Sequence, residues 1–458
     1  MSAILIRNCL RIFTAADEPP RVGEDILIEG NRIVEVGKDI RVDIPLEREI
    51  EGSTLVVIPG LVNTHHHFYQ TLTRNLPAVQ NAELFDWLVY LYEVWKHLDA
   101  EAVYYGSLLA MGELLKTGTT TSTDHHYLYP RSVDEDLMGV QFKAAGKLGM
   151  RFAPTRGSMC LSKKDGGLPP DTVVQTAEEI LTDSARVIGA YHDPGELSMR
   201  RVILAPCSPF SVTEALMKET AALARRHDVR LHTHLAETRD ENAFCEKMYG
   251  RRPLALMADC DFLGPDVSFA HGIHFNDDEL NLLAETGTHI AHCPTSNMRL
   301  GSGICRVKEM RQRGINVGLA VDGSASNDSS DMLGEVRNGL LLQRVRYGAA
   351  AMDAPGILQM GTRGGARLLG FEKVGELRPG WAADLALFDL GRMEYAGSLS
   401  DPLAALVFSG YDHGAAYTIV NGEIVVDGGR LVGFDEDEIM DKGNAISARM
   451  LAATQCAS

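Results

Sequence analysis

Three consecutive histidines end an apolar run in the stretch GLVNTHHHFYQ, residues 60–70. Side chains alternate between the two faces of a β-strand, so His65 and His67 share one face while His66 points away from it. Neutral imidazoles are common ligands for zinc and other transition metals. The spacing therefore predicts that His65 and His67 form half of a metal site.

More ionisable side chains follow other apolar runs. They are His232, His234 and Glu237 in LHTHLAE, His271 and His274 in FAHGIH, and Asp322 in LAVDGSASND. Taken alone, a buried histidine is more often a satisfied core residue than a ligand, and an aspartate before glycine is more often part of a turn. Burying so many ionisable groups without a shared purpose would be costly, because each needs a partner. Their joint occurrence predicts a metal site.

Eight β-like runs, separated by helical patterns, carry or precede these side chains. The runs are GLVNTHHH, TTTSTDHH, MRFAPTRG, RVILAPCS, VRLHTHLAE, VSFAHGIH, THIAHCP and INVGLAVDG. Strands and helices alternating in that number predict an α/β fold with a (β/α)8 TIM-like barrel at residues 59–372. Active sites of such barrels lie at the C-terminal ends of the strands, where these motifs fall.

Both chain ends are rich in strand-like segments instead of helical ones. They include AILIRNCLRIF and DILIEGNRIVEVG near one end and YTIVNGEIVVDG near the other. We expect residues 1–58 and 373–458 to form a composite β-sandwich domain beside the barrel, with a C-terminal helix at about 435–452.

Composition excludes several kinds of partner. The 458 residues are 45% apolar and 23% charged, with a formal net charge of −18, which argues against binding to nucleic acid or to an anionic membrane surface. The eight cysteines include no CxxC pair, and no segment is typical of a membrane span or a secretory signal. We expect a cytoplasmic homo-oligomer that binds a small molecule.

The motifs PGLVNTHHH, HTHLAET, AHGIH and VDGSASND resemble those of the metal-dependent amidohydrolase superfamily, within its deaminase branch. The resemblance covers nearly the whole chain. It implies one divalent metal ion held by His65, His67, His234 and Asp322, with zinc expected and iron(II) as the alternative. Binuclear members use a fourth-strand lysine, and the corresponding run VILAPCS has none, which favours a single ion.

The resemblance also implies catalytic roles for three residues. Asp322 would take a proton from the attacking water, Glu237 would protonate a ring nitrogen and then the departing ammonia, and His271 would hydrogen-bond the water or the tetrahedral centre. His232 would support the metal ligands from a deeper layer. The alternative for Glu237 is an acidic residue that complements a helix N-terminus.

The stretches LVNTHHHFYQTLTR, DHHYLYP, TRGSMCLSKKDGGLPP and LAPCSPFSVT narrow the resemblance to members that convert 8-oxoguanine to urate and ammonia. It implies a purine contact at Gln70. Cys207 replaces a larger arginine or histidine found in related deaminases, which argues against guanine itself and against bulky ribosyl substrates. We further expect substrate contacts from Arg156 and Trp87; Phe85, His125, His126 and His292 are additional candidates that ordinary packing would also explain.

Four alternatives stay open at this point. Guanine deamination and removal of an amine from a hydroxytriazine would use the same residues. Hydrolysis of a cyclic amide is disfavoured by the absent fourth-strand lysine. A non-catalytic barrel scaffold would be expected to lose metal ligands, and this chain keeps every one together with Glu237.

Overall fold

The first strands are short runs of β-branched and leucine side chains, which favour extended backbone. A computed structural model describes residues 3–457 of the chain. Its N-terminal strands are β1 (Ala3–Cys9), β2 (Arg11–Ile12), β3 (Glu24–Glu29), β4 (Arg32–Gly37), β5 (Arg48–Glu51) and β6 (Leu55–Pro59). Four of them form one sheet in the order β4-β3-β1-β5. Gly30 adopts a φ of +57° in the hairpin turn between β3 and β4.

The central strands run parallel to one another. They are β7 (Leu61–Asn63), β8 (Thr119–Ser122), β9 (His125–His126), β10 (Arg151–Phe152), β11 (Thr155–Ser158), β12 (Ile203–Pro206), β13 (Arg230–Leu235), β14 (Val267–His271), β15 (His289–His292) and β16 (Val317–Leu319). The pairs β8/β9 and β10/β11 are each two parts of one longer strand. The break before β11 falls at Pro154, which has no N–H for the ladder.

Eight strands therefore follow each other around a curled sheet, and the last meets the first. The N–H of Thr64 donates to the carbonyl of Leu319 at 3.1 Å, and the N–H of Asp322 donates to the carbonyl of His65 at 3.1 Å. The predicted alternation of parallel strands with helices is confirmed, and the arrangement is TIM-barrel-like.

Many of the described helices begin at a polar side-chain cap, and several end at glycine. They are α1 (Leu84–Trp95), α2 (Ala100–Lys116), α3 (Leu137–Leu148), α4 (Ala177–Tyr191), α5 (Glu214–Arg226), α6 (Arg239–Tyr249), α7 (Pro253–Asp259), α8 (Asp277–Thr286), α9 (Pro294–Arg299), α10 (Val307–Gln312), α11 (Met332–Tyr347), α12 (Ala354–Gln359), α13 (Gly365–Leu368), α14 (Pro402–Phe408) and α15 (Glu436–Ala457). Asn276 caps α8 at its start, and Gly287 ends it with a φ of 71°. Helix α15 extends to Ala457, beyond the predicted end near 452, because ATQCA continues with residues that tolerate helix.

The C-terminal strands β17 (Leu385–Asp389), β18 (Tyr417–Val420), β19 (Glu423–Asp427) and β20 (Arg430–Leu431) join two N-terminal strands in a sheet of order β2-β6-β17-β18-β19-β20. Strand β17 pairs antiparallel with β6, from Leu385 opposite Pro59 to Asp389 opposite Leu55. One hydrophobic cluster contains side chains from this sheet and from the sheet of β1, β3, β4 and β5.

A buried ion pair connects the C-terminal segment to the barrel. Arg151 of β10 donates to both carboxylate oxygens of Asp384, at 2.8 and 3.1 Å, and Asp384 also accepts the N–H of Asn421 at 2.7 Å. The two charged side chains are 0% and 1% exposed. Among the described helices, none is long and apolar enough to cross a membrane.

Candidate active site

The histidine triplet lies just beyond β7, which ends at Asn63 rather than at His67 as predicted. Ladder-like hydrogen bonds nevertheless continue on both sides. The carbonyl of His65 accepts from the N–H of Asp322 at 3.1 Å, and that of His66 accepts from the N–H of His125 at 2.6 Å. The His66 ring bonds to the Ser330 hydroxyl at 3.0 Å and is not part of the histidine cluster.

Two imidazoles of the cluster have their tautomers set by backbone carbonyls. His67 Nδ1 lies 2.8 Å from the carbonyl of His125, and His234 Nδ1 lies 2.7 Å from that of Cys207. A carbonyl only accepts, so both Nδ1 atoms carry the proton. Each Nε2 atom therefore carries a lone pair and no proton, and the two Nε2 atoms lie 3.2 Å apart. Such a pair fits a cation between the rings.

A chain of hydrogen bonds orients His65 in the same way. The Ser268 hydroxyl donates to the carbonyl of Leu231 at 3.3 Å, so it accepts from His232 Nδ1 at 2.8 Å. His232 Nε2 then accepts from His65 Nδ1, also at 2.8 Å. His65 Nε2 is left as a buried lone pair with no hydrogen-bond partner in residues 3–457. His232 thus has the supporting position expected of it.

Asp322 brings a carboxylate to these nitrogens. Its Oδ1 lies 3.3 Å from His67 Nε2 and 3.5 Å from His65 Nε2. The Ser296 hydroxyl donates to Oδ2 at 2.6 Å, and the N–H of Gly323 donates to Oδ1 at 2.7 Å. Asp322 adopts a φ of 68°, an unfavourable backbone conformation for a non-glycine residue, which the surrounding hydrogen bonds hold in place.

Burial keeps these groups in the protonation states that metal coordination requires. It lowers the pKa of His67 below its ordinary value and those of His65 and His234 well below it, so the three rings are neutral at pH 7. Burial opposes ionisation of Asp322, but the neighbouring imidazoles of His65, His271 and His67 hold its pKa well below the usual range. Three imidazole nitrogens and one carboxylate fit a divalent ion with room for water.

Glu237 and His271 stand next to this cluster. His271 Nε2 lies 3.5 Å from Glu237 Oε2 and 4.0 Å from Asp322 Oδ2. The Asn297 amide donates to His271 Nδ1 at 3.0 Å, so the neutral ring carries its proton on Nε2 and directs it toward the carboxylates. Burial, followed by the charges of Asp322 and Glu241, raises the pKa of Glu237 well above its usual value. Glu237 is suited to carry a proton at neutral pH.

Glu241, in the first turn of α6, holds the segment that carries Glu237. Its two carboxylate oxygens accept the backbone N–H groups of Ala236 at 2.8 Å and of Glu237 at 2.9 Å. Ala236 has a φ of 54°, so this segment is strained and needs such an anchor. The side chain of Glu241 is fully buried, and burial raises its pKa to about 7.

A recess lies above the histidines, lined by side chains from several strand ends and from α1. Strand ends supply the polar side, and α1 supplies much of the apolar side through Leu84, Trp87, Leu88 and Tyr92. Gln70, Trp87 and Cys207, predicted to contact substrate, all line this recess together with His67, His234, Glu237, His271 and Asp322. A polar side facing an apolar, aromatic side suits a small heteroaromatic ligand.

The Gln70 side chain packs directly against the backbone of Gly323, the residue after Asp322. A Cβ atom at Gly323 would lie 1.9 Å from Gln70 Oε1, so only glycine fits there. The Gln70 side chain is buried and its Oε1 has no partner within the described chain. The amide is therefore free to hydrogen-bond a ligand.

Arg156 lies elsewhere, in contrast to the prediction that it contacts substrate. Its guanidinium donates to Asp183 at 2.6 Å and to Gln175 at 2.9 Å, and it packs over the ring of Tyr129, 3.9 Å from the ring centroid. It does not line the recess. Adjacent side chains of a strand point to opposite faces, and Arg156 faces α4 rather than the barrel interior.

The other candidate residues are also outside the recess lining. Phe85 packs against Phe210, His126 and His292 are buried away from it, and His274 bonds to the carbonyl of Ser302 at 3.0 Å. His125 belongs to the buried group of His65, His67 and His234, and it stacks on His234 with ring centroids 4.7 Å apart.

Sequence reasoning missed three residues: Ser296, Glu241 and Tyr92. Thr238 and Glu241 have the T-x-x-E spacing of a helix cap, and Thr238 does accept the N–H of Glu241 at 3.3 Å. The T-x-x-E spacing could therefore have identified Glu241. In a capping box the glutamate would accept the N–H of Thr238, whereas Glu241 accepts those of Ala236 and Glu237. Nothing in the local sequence marks Ser296 or Tyr92, because their roles depend on how α9 and α1 pack.

Comparisons with known proteins agree with this geometry. The model of the amidohydrolase family matches residues 56–425. The chain is 48% identical to 8-oxoguanine deaminase of Pseudomonas aeruginosa, over 99% of this chain and 100% of that protein. It is 36% identical to an isoxanthopterin deaminase from an unknown prokaryotic organism, over 98% and 97%. The crystal structure of atrazine chlorohydrolase from Arthrobacter aurescens TC1 complexed with zinc aligns with a TM-score of 0.92 and 31% identity, over 97% and 100%.

Proposed function

The chain belongs to the amidohydrolase family, and we propose that it hydrolyses 8-oxoguanine to urate and ammonia. It is a hydrolase that breaks a C–N bond of a cyclic amidine. The observation that carries the proposal is the buried carboxyl of Glu237 beside His271, next to the His65–His67–His234–Asp322 cluster in one recess. Near full-length identity of 48% to an 8-oxoguanine deaminase supports the substrate.

We propose zinc as the resident ion, with iron(II) as the alternative. His65, His67 and His234 supply nitrogen lone pairs, and Asp322 supplies a carboxylate oxygen. The zinc complex of the structurally similar atrazine chlorohydrolase supports this choice. A bound zinc ion supplies Lewis acidity that makes water nucleophilic near neutral pH, since it lowers the pKa of water from about 16 to about 7.

The side chains of the chain then carry the protons. Asp322 accepts a proton from the attacking water, while Ser296 and Gly323 hold its carboxylate in position. Glu237 donates its proton to the ring nitrogen beside the amino-bearing carbon, which makes that carbon electrophilic. The water oxygen forms a bond to this carbon, and His271 donates a hydrogen bond from Nε2 to the developing charge.

Product formation requires the C–N bond to break. The amino group takes a proton and departs as ammonia, and the carbon keeps the water oxygen as a carbonyl. The balance is 8-oxoguanine plus water giving urate plus ammonia. Glu237, now ionised, takes the hydroxyl proton of the tetrahedral carbon and passes it to the leaving nitrogen, and the proton held by Asp322 then returns Glu237 to its starting state.

Substrate binding is assigned to three side chains of the recess. Gln70 would bond to the edge of the pyrimidine ring through its amide. Trp87 and Cys207 border the ring, and burial raises the pKa of the Cys207 thiol to about 12, so that thiol stays neutral. Because the Cys207 side chain is small and neutral, it places no charge next to the purine on this side of the recess.

The test is release of ammonia from a panel of 8-oxoguanine, guanine, isocytosine, adenosine and a hydroxytriazine by metal-loaded protein. We expect the highest kcat/KM on 8-oxoguanine, with urate as product identified by its absorbance spectrum. The Glu237→Gln variant is the matched negative control. Activity confined to a triazine, or to adenosine, would overturn the substrate assignment while leaving the family intact.

The domain organisation, the location in the cell and the oligomeric state are also proposals. We infer that residues 1–58 and 373–458 form one composite domain, a proposal supported by the β6–β17 pairing and by the cluster shared between the two terminal sheets. A cytoplasmic location and a homo-oligomeric state are proposed from the sequence alone.

A further inference from the structure

Two polar atoms on α1 are buried in the recess without a partner. The indole N–H of Trp87 and the hydroxyl of Tyr92 have no hydrogen-bond partner in the described residues, and both residues line the recess. Trp87 is 3% exposed and Tyr92 is 0% exposed. Buried polar groups in native proteins are normally satisfied, so each of these two requires an explanation.

The other tryptophan of α1 shows that the helix can satisfy such groups. Trp95 packs against both residues, with ring centroids 5.5 Å from Trp87 and 5.9 Å from Tyr92. Its indole N–H donates to the hydroxyl of Thr73 at 3.0 Å. The Tyr69 hydroxyl of the same aromatic cluster is also unpaired, but only Trp87 and Tyr92 place their unpaired atoms on residues that line the recess, where a ligand can pair with them.

The chemistry of the two atoms selects an acceptor. An indole N–H only donates, and a tyrosine hydroxyl can donate. A carbonyl oxygen has two lone pairs and can accept from both. The neighbouring side chains of the α1 wall, Leu84 and Leu88, are apolar.

We propose that Trp87 Nε1 and Tyr92 Oη bind the C8 carbonyl of the substrate and so make the site prefer 8-oxopurines over purines. This inference rests on the proposed function for the orientation of the ring. C2 and C8 are at opposite ends of a purine. With the amino-bearing C2 at Glu237 and Asp322, C8 lies at the far end of the ring, and the proposal places that end against α1. Guanine has C–H at C8, so it would leave both donors unpaired.

The first test uses conservative variants on the two bases. Wild-type protein should show at least about tenfold higher kcat/KM on 8-oxoguanine than on guanine. Tyr92→Phe, which deletes one oxygen, and Trp87→Phe should each reduce that ratio by about tenfold. Tyr90→Phe removes the same hydroxyl from the exposed face of α1, where Tyr90 is 41% exposed, and should keep the ratio.

Equal losses on both bases, or an unchanged ratio in both variants, would overturn the inference. Such a result would place the two donors on a group that guanine and 8-oxoguanine share, or away from the ligand. If Trp87→Phe does not fold, because it also removes volume, Tyr92→Phe alone decides the outcome.

A second measurement separates this inference from the proposed function. Urate and xanthine differ only at C8, where urate has the carbonyl. Titration calorimetry on the metal-loaded protein should show urate binding at least about tenfold more tightly than xanthine, with the difference reduced in Tyr92→Phe. Equal affinities in the wild type would refute the C8 assignment even if 8-oxoguanine is deaminated. Absence of deamination with the urate preference intact would refute the proposed reaction alone.

Discussion

The Nε2 atoms of His67 and His234 lie 3.2 Å apart, and each is a lone pair because the Nδ1 proton of each ring is committed to a backbone carbonyl. Two lone pairs at that distance repel one another unless a cation lies between them. The carbonyls of His125 and Cys207 thus prepare the site for a metal ion through the backbone, independently of any other side chain.

Purified protein should therefore contain about one equivalent of zinc or iron per chain. His234→Ala should lose most of it, because one of the facing lone pairs is removed. His66→Ala is the matched control, since His66 bonds to Ser330 outside the cluster, and it should keep the metal. Elemental analysis by mass spectrometry measures both, and equal loss in the two variants would contradict the ligand assignment.

Glu237→Gln should keep the metal and lose activity. The amide has the shape of the carboxyl but cannot pass a proton, and a positioned proton donor contributes on the order of 10²–10⁴-fold in rate. The measurement is kcat on the proposed substrate together with metal content. Near-normal turnover would leave Glu237 with only the role of an acidic residue near the start of α6.

Glu241→Gln should reduce kcat through Glu237 rather than through the fold. The amide keeps one acceptor oxygen but presents an NH2 group to a backbone N–H, so the bond to Ala236 or Glu237 is lost. We expect a loss of about tenfold in kcat with little change in KM and with the metal retained.

The matched control for that variant is Glu246→Gln, the same substitution at an exposed position of α6. It should be indistinguishable from wild type. Glu237→Gln and the double variant complete a cycle, in which Glu241→Gln should have almost no further effect once Glu237 is replaced. Additive losses would show that Glu241 acts independently of Glu237.

Asp384→Asn should destabilise the protein by about 3–5 kcal/mol, because it leaves the fully buried Arg151 guanidinium without its counter-charge. Asp427→Asn is the control, since its ion pair with Arg48 is about two-fifths exposed and should contribute at most about 1 kcal/mol. Chemical denaturation gives both values. A loss for Asp384→Asn no larger than the control would mean that water or another group compensates Arg151.

Much of the site could be predicted from the sequence, because its residues follow strand ends. Apolar runs mark the barrel strands, and polar residues after them must meet at one end of the barrel. His65, His67, His234 and Asp322 come together for this reason. The direction of a side chain in a short strand is harder to predict. A shift of one residue moves a side chain from one face of the strand to the other, and Arg156 lies one residue away from an inward-facing position.

The wall of the recess could not be predicted in the same way. Trp87 and Tyr92 are on a helix inserted after β7, and no periodicity in the sequence says which barrel surface that helix covers. Their unpaired polar atoms became visible only when the packing of α1 and the partners of neighbouring groups were known.

The pairing of β6 with β17 has a consequence for synthesis on the ribosome. Pro59 finds its partner Leu385 roughly 300 residues later in the chain. At about 5–20 residues per second, the inner edge of β6 waits on the order of 15–60 s for that partner. During this interval the apolar run LVVIP, fully buried in the finished protein, exposes an unpaired strand edge. Newly made chains are thus most exposed to aggregation before residue 390 emerges, and chaperones that cover extended apolar segments have their clearest target there.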